Sequence, residues 1–209
     1  MKELQKEFPG QVRIVFKHNP LPFHQDAQLA AEATLAANEQ GKFWEYHDKL
    51  FENQKALKRE NLDQYAKDLG LDEGKFKKAL DEGKFKNPID ADKKLAQQVG
   101  ARGTPAFFVN GRPLSGAQQK DAFAKIIREE IAYAETLLKK GTPAGRLYTE
   151  IMKEAKTSPG PAQAGDPSKR PPAAGRAAEG ELYKVAVGGS PFKGPKDAKV
   201  TIIEFSDFQ

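Results

Sequence analysis

The stretch Gly103-Thr-Pro-Ala-Phe-Phe-Val-Asn-Gly111 contains a proline turn, a short apolar strand and a hairpin signal in nine residues. Asn110-Gly111 is the preferred dipeptide of a two-residue β-hairpin turn, because both positions of a type I′ turn need a positive φ. We therefore predict a strand that ends at this turn and a short return strand over 112–114. The Thr104-Pro105 bond fits an ordinary turn before the strand or a cis-proline.

Two further stretches predict strands of the same sheet. Gln11-Val-Arg-Ile-Val-Phe16 alternates apolar side chains, and Val200-Thr-Ile-Ile-Glu-Phe205 is almost continuously apolar. The first pattern is typical of a half-buried strand and the second of a fully buried one. Leu182 to Val187 is also strand-like. The sequence thus predicts an α/β domain.

Helices are predicted on both sides of the hairpin. Apolar residues recur at helical spacing in 26–38, 43–53, 62–69 and 76–80, and Asn87-Pro88 resembles a helix start that runs to Val99. After the hairpin, 118–138 is a long amphipathic helix, and Thr142-Pro143 begins a short one that reaches about Lys156. The helical block before the hairpin reads as an insertion between strands.

The composition excludes several classes of function. No apolar run approaches the ~18 residues that a membrane-spanning helix needs, and residues 1–8 lack the apolar core of a secretory signal. The net charge of +5 comes from lysines that alternate with acids, so no basic nucleic-acid face is predicted. We expect no membrane insertion, no signal peptide within these residues and no nucleic-acid partner.

The chain contains no cysteine, which removes disulfides and thiolate metal sites. Its three histidines, His18, His24 and His47, lack the spacing of a metal site, so packing or capping roles are predicted for them. We expect no metal and no cofactor.

Four segments together carry a family resemblance. They are 200–209, 11–24 with its Pro-Leu-Pro-Phe-His, 39–51 with its Phe-Trp-Glu-Tyr-His, and 99–111. In this combination the chain resembles the DsbA-like thiol–disulfide oxidoreductases of the thioredoxin superfamily. The resemblance implies a thioredoxin-like fold with a helical insertion, a redox partner protein, and a periplasmic or otherwise exported location.

The order of the segments departs from the family. The strand at 200–205 resembles the first core strand of that fold, yet it stands last here, so the fold is apparently permuted. We expect a domain over 1–156 that lacks its first strand and redox motif, a Pro/Ala/Gly linker over 157–180, and the first strands of a second copy over 181–209. Those strands would complete the sheet within the chain, and a strand-swapped dimer is the alternative.

The family's Cys-x-x-Cys pair is absent, and the resemblance would place it directly after Gln209 and before Met1. One hypothesis is a tandem protein whose redox pair is Sec-x-x-Cys, with the UGA codon read as a stop on both sides. A deliberately made fragment, a permuted gene and ordinary truncation are the rivals.

The resemblance also implies roles for residues that are present. Gly103, Thr104 and Pro105 would form the cis-proline loop that pairs with an extended segment of a protein substrate. Glu204 has the spacing of the family's buried acid, which would relay a proton to the buried thiol; alternatively, strand alternation points it to solvent. The leading prediction is disulfide exchange on exported proteins by a parent protein, with this chain alone redox-inactive. The alternatives are a non-redox peptide-binding or chaperone-like module and a structural remnant.

Overall fold

The computed structural model describes residues 1–157 and 181–209, which form two compact units. The sheet unit comprises residues 1–16 and, among those described, 96–157 and 181–205. The helical unit comprises residues 17–95 and 206–209. All of the predicted linker except Thr157 lies outside the described residues.

A five-stranded sheet organises the sheet unit. Its strands are β1 (Val12–His18), β2 (Ala106–Val109), β3 (Arg112–Ser115), β4 (Phe192–Lys193) and β5 (Val200–Ser206), in the order β3-β2-β5-β1-β4. β2 is antiparallel to both β3 and β5. β5 is the middle strand and every residue in it except Glu204 is buried, which explains its nearly continuous apolar sequence.

The predicted hairpin between β2 and β3 is confirmed. Asn110 and Gly111 have φ values of 45° and 85°, as a type I′ turn requires. The buried Asn110 side chain accepts the Thr201 N–H at 2.9 Å and donates to the buried Glu130 carboxylate at 3.2 Å. The turn residue therefore ties the hairpin to β5 and to the helix that carries Glu130.

The helices of the sheet unit agree with the predicted periodicity. They are α1 (Lys2–Glu7), α7 (Lys120–Lys139) and α8 (Leu147–Ile151), the last flanked by 3₁₀ turns at Ala144–Arg146 and Met152–Glu154. α7 buries Phe123, Ile127 and Ala134. Glu7 of α1 accepts from Arg128 of α7 at 2.6 Å, so an ion pair joins the two helices.

The helical unit confirms the predicted insertion. It contains α2 (Ala27–Glu39), α3 (Phe43–Glu52), α4 (Arg59–Asp68), α5 (Glu73–Asp81) and most of α6 (Lys86–Gln98). α2 is lined with buried alanines, and small side chains let α3 and α5 pack closely against it. Tyr46, Leu62 and Phe76 are completely buried between the helices, and the Tyr46 hydroxyl donates to the Leu62 carbonyl at 2.8 Å.

Two local predictions were wrong, and one strand was missed. Leu182 to Val187 is not a strand, because its backbone finds a single bridge, between Lys156 and Tyr183. The two-residue β4 is too short to show any periodicity in the sequence. α6 begins at Lys86, before Asn87-Pro88; Pro88 is tolerated there because first-turn N–H groups have no partner within the helix.

Candidate active site

A cavity of about 500 Å³ opens in the sheet unit, at the middle of the sheet. The N-terminal turn of α1 forms one side, β2 and β5 form the floor, and the start of α7 closes the other side. Its apolar lining comes from Leu4, Pro105, Phe107, Ala117 and Phe123, and its polar or charged lining from Met1, Lys2, Glu3, Gln118 and Lys120. The Glu204 carboxyl group lies on the floor among both kinds of side chain.

Pro105 reaches the cavity from the loop before β2. The Thr104-Pro105 peptide bond is cis, as the sequence analysis predicted. The Pro105 carbonyl accepts the Gly116 N–H at 2.9 Å, which ties the loop to the segment after β3. Gly103 is exposed and Thr104 is half-buried, and neither lines the cavity.

The register of β2 and β5 puts Glu204 against an aromatic wall. Phe107 is directly opposite Glu204 in the antiparallel pair, so both side chains lie on the same face of the sheet. The Phe107 ring meets the Phe123 ring edge to face, with 4.9 Å between ring centroids. The carboxyl group is therefore held among apolar groups.

Burial raises the pKa of Glu204 to about 7, because a charged carboxylate loses hydration there, and the Met1 amino group opposes this rise. A group with that pKa is partly protonated and partly ionised at neutral pH. It can accept or donate a proton without a large energetic cost, which is the property of a general acid or base. The Glu204 side chain is half-buried and lines the open cavity, so it is neither enclosed in the core nor fully exposed.

Sequence reasoning found part of this site. Pro105 and Glu204 meet at the cavity, whereas the lining roles of Phe107, Phe123 and Gln118 were missed. Because side chains two residues apart lie on the same face of a strand, the sequence alone could have placed Phe107 beside Pro105. Phe123 showed only the helical spacing of a core residue.

The histidines lie in the helical unit. The buried His18 and the half-buried His47 make ring contacts with Phe43, at centroid distances of 6.2 and 5.8 Å. Burial, with smaller contributions from His47 and Lys17, lowers the pKa of His18 to about 3, so His18 is neutral at physiological pH. Among residues 1–157 and 181–209 no group of three or more metal-ligating side chains could hold an ion.

Comparison with known proteins decides the family. Residues 1–128 match the family described as the DSBA-like thioredoxin domain, which is more than half of the chain. The chain belongs to this family. The mixed α/β architecture of the DsbA-like domain, with its five-stranded sheet and helical unit, agrees with that assignment.

The similar proteins found in the comparison are much longer than this chain. It is 40% identical over 135 residues to "Na(+)/H(+) antiporter NhaA 3" of Salinispora tropica, which is 64% of this chain and 21% of that protein. It is 38% identical over 140 residues to "Na(+)/H(+) antiporter NhaA 1" of Salinispora arenicola, with 66% and 21% covered. The DsbA-like chain thus spans about a fifth of the length of these relatives. No solved structure matches it.

In the part of the chain that the structure describes, no helix has the length and hydropathy needed to cross a bilayer.

Proposed function

We propose that this chain is the body of a thiol–disulfide oxidoreductase that acts on exported proteins, and that the redox pair lies outside the 209 residues. The supporting observation is Glu204, a carboxyl group with a pKa of about 7 on the floor of a cavity that Pro105 also lines. Disulfide exchange needs such a proton acceptor, because a thiolate and not a thiol attacks a disulfide.

In the proposed reaction, the dithiol form of the redox pair reduces a disulfide of the substrate. The first thiolate or selenolate attacks one substrate sulfur, forms a mixed disulfide and expels the other sulfur as a thiolate. The second thiol then gives its proton to the Glu204 carboxylate. Its thiolate attacks the mixed disulfide, releases the substrate sulfur and leaves an oxidised pair. Two electrons pass to the substrate, and a redox partner protein restores the dithiol.

The loop that carries Gly103, Thr104 and Pro105 is the proposed contact for an extended segment of the substrate. Its backbone precedes β2, and an extended peptide can pair with such backbone as an added strand. We further propose a periplasmic location, and a tandem parent protein whose pair is Cys-x-x-Cys or Sec-x-x-Cys.

A non-redox module that binds extended peptides is the second candidate. The observation that favours it is that the chain contains no cysteine while an open cavity lies beside the cis-proline loop. Sodium–proton antiport, which the names of the longer relatives carry, is not proposed, because the shared region is only about a fifth of those proteins.

Insulin reduction separates the two candidates. The measurement compares the 209-residue chain with a longer product that is translated through the flanking codons read as stops. Cysteine replaces any selenocysteine in this longer product. We expect turnover only for the longer product, and we expect the Glu204→Gln variant of that product to be slower and to lose a pH-dependent step near 7. A longer product that holds the cysteine pair and reduces no insulin would contradict the oxidoreductase proposal and leave peptide binding as the leading function.

A further inference from the structure

The four residues Ser206 to Gln209 pack within the helical unit, where backbone and side-chain groups bind them one after another. The Asn19 N–H donates to the Ser206 carbonyl at 2.9 Å. The Gln54 side chain donates to the Phe208 carbonyl at 3.3 Å, and the Asp26 N–H donates to the Gln209 side chain at 3.0 Å. We call Ser206–Gln209 the docked segment.

Phe208 anchors the docked segment through its ring. The side chain is completely buried. Its ring centroid lies 5.0 Å from that of Phe51, 5.7 Å from that of His47 and 6.2 Å from that of His18. This cage fixes the position of the ring, and the segment needs a further contact to fix its backbone on either side.

Asp207 supplies that contact through its carboxylate oxygen Oδ2. Its Oδ2 accepts the Leu21 N–H at 3.1 Å and lies 2.6 Å from the Nδ1 atom of His24. When the carboxylate is ionised it can only accept, and the His24 tautomer with a proton on Nδ1 is then the donor in this bond. Only 3% of the Asp207 side chain is exposed, against 24% of the His24 side chain. A carboxylate this deeply buried requires strong donors.

We propose that His24 is a positioning residue that acts through Asp207 to hold the backbone of Asp207–Gln209 in one place. This inference rests on the proposed function, in which the redox residue follows Gln209 in the parent protein. The His24–Asp207 bond would then fix the position from which the backbone continues to the redox residue. Neither His24 nor Asp207 touches a reacting atom.

Amide hydrogen exchange in the 209-residue chain tests the positioning directly. The N–H groups of Asn19, Leu21 and Asp26 all donate to the docked segment. His24→Phe keeps a ring and removes the donor, so exchange at these amides should become roughly tenfold faster, the size expected for losing a hydrogen bond to a charged group. His24→Asn places an amide donor near the position of Nδ1 and should restore most of the protection.

The controls separate positioning from a general loss of stability. Asp48→Asn changes the acid that His47 contacts at 3.1 Å in the same unit, and should leave the three amides unchanged. The Tyr46 amide, which is bonded within α3, should keep its protection in His24→Phe. Unchanged exchange at Leu21, or faster exchange at Leu21 and Tyr46 alike, would overturn the proposal. If His24→Phe does not fold, Asp207→Asn takes its place with the same expected pattern.

A second experiment in the redox-competent parent product tests the link to chemistry. His24→Phe should lower kcat for insulin reduction with little change in KM, and His24→Asn should return kcat toward that of the unmutated product. An unchanged kcat in His24→Phe would remove the link to chemistry. If the unmutated parent product reduces no insulin, the proposed function fails, whereas the exchange result on the shorter chain still decides whether His24 positions the segment.

Discussion

The carboxyl group of Glu204 lowers the stability of the folded chain at neutral pH, whereas the proposed chemistry requires it. Glu204 interrupts the otherwise buried β5 strand with a carboxyl group whose pKa burial raises to about 7. The ordinary value is 4.5, so between about pH 4.5 and 7 the folded chain holds a proton that the unfolded chain releases. The free energy of unfolding therefore falls as the pH rises through this window.

Glu204→Gln should relieve this cost. We expect the variant to be more stable than the unmutated 209-residue chain by about 1 to 2 kcal/mol at pH 8. This figure is reduced because the Glu204 side chain is partly exposed. At pH 4 the two proteins should be nearly equal in stability. Urea unfolding at both pH values measures the difference. Glu45→Gln, on the exposed face of α3, is the matched control and should change stability by less than about 0.5 kcal/mol. A Glu204→Gln gain that is the same at both pH values would contradict this account.

His18 has the opposite dependence on pH. Its pKa is lowered from 6.5 to about 3 by burial, so the unfolded chain binds a proton more readily than the folded chain in this window. The contribution of His18 to stability is complete above about pH 6.5 and decreases as the pH falls toward 3, by at most about 1.4 kcal/mol per pH unit.

His18→Phe should therefore flatten the acid limb of the stability curve. Phenylalanine keeps a ring in the cage and removes the titrating group. The measurement is urea unfolding of both proteins from pH 7 to 4, with the difference between the two curves as the readout. Curves that stay parallel over this range would show that His18 does not titrate as proposed.

β5 is the element on which the sheet depends most. It lies between β2 and β1, and it pairs with β2 over Ile202 to Phe205. Its removal would leave two strands with unpaired edges. It would also uncover aromatic side chains that pack on β5, such as Phe108, whose ring centroid lies 5.8 Å from that of Phe205.

We expect deletion of residues 181–209 to abolish cooperative unfolding or to lower solubility sharply. Ile202→Ala is the milder test, because this side chain is fully buried, and it should cost about 2 to 5 kcal/mol. Thermal denaturation followed by circular dichroism measures both. Val187→Ala, at a half-buried position outside the sheet, is the control and should cost far less. An unchanged Tm in the deletion would contradict the central role of β5.

The sequence predicted the regular elements well where a long pattern repeats. The periodicity of Phe123, Ile127 and Ile131 marks α7, and Asn110-Gly111 marks the hairpin, because each pattern has one local structural solution. The predicted strand over Leu182 to Val187 was wrong, because a strand also needs a pairing partner and such partners are distant in sequence. β4 was missed because two residues are too few to show an alternating pattern.

At the scale of the whole molecule, the site was predicted only as far as family spacing reaches. Pro105 and Glu204 could be named because each belongs to a recognisable segment. The cavity itself, with Phe107 and Phe123 as walls, depends on the register between β2 and β5, which the sequence does not state. The bond between His24 and Asp207 joins residues 183 positions apart, and no local pattern predicts it.

Membership in the DsbA-like family and a proton-exchanging carboxyl group support one account of the whole molecule. In the proposed function, the sheet unit supplies the cavity and the acid, and a sulfur or selenium pair would supply the nucleophile. The central claim of this account is that Glu204 is an acid with a pKa near neutrality.

A carbon-13 NMR titration of the Glu204 carboxyl group in the 209-residue chain tests that claim most directly, with Glu204→Gln to assign the signal. The account predicts a titration midpoint near pH 7. A midpoint near 4.5, the ordinary value for glutamate, would show that the cavity does not desolvate the carboxylate, and Glu204 could not serve as the proposed proton relay.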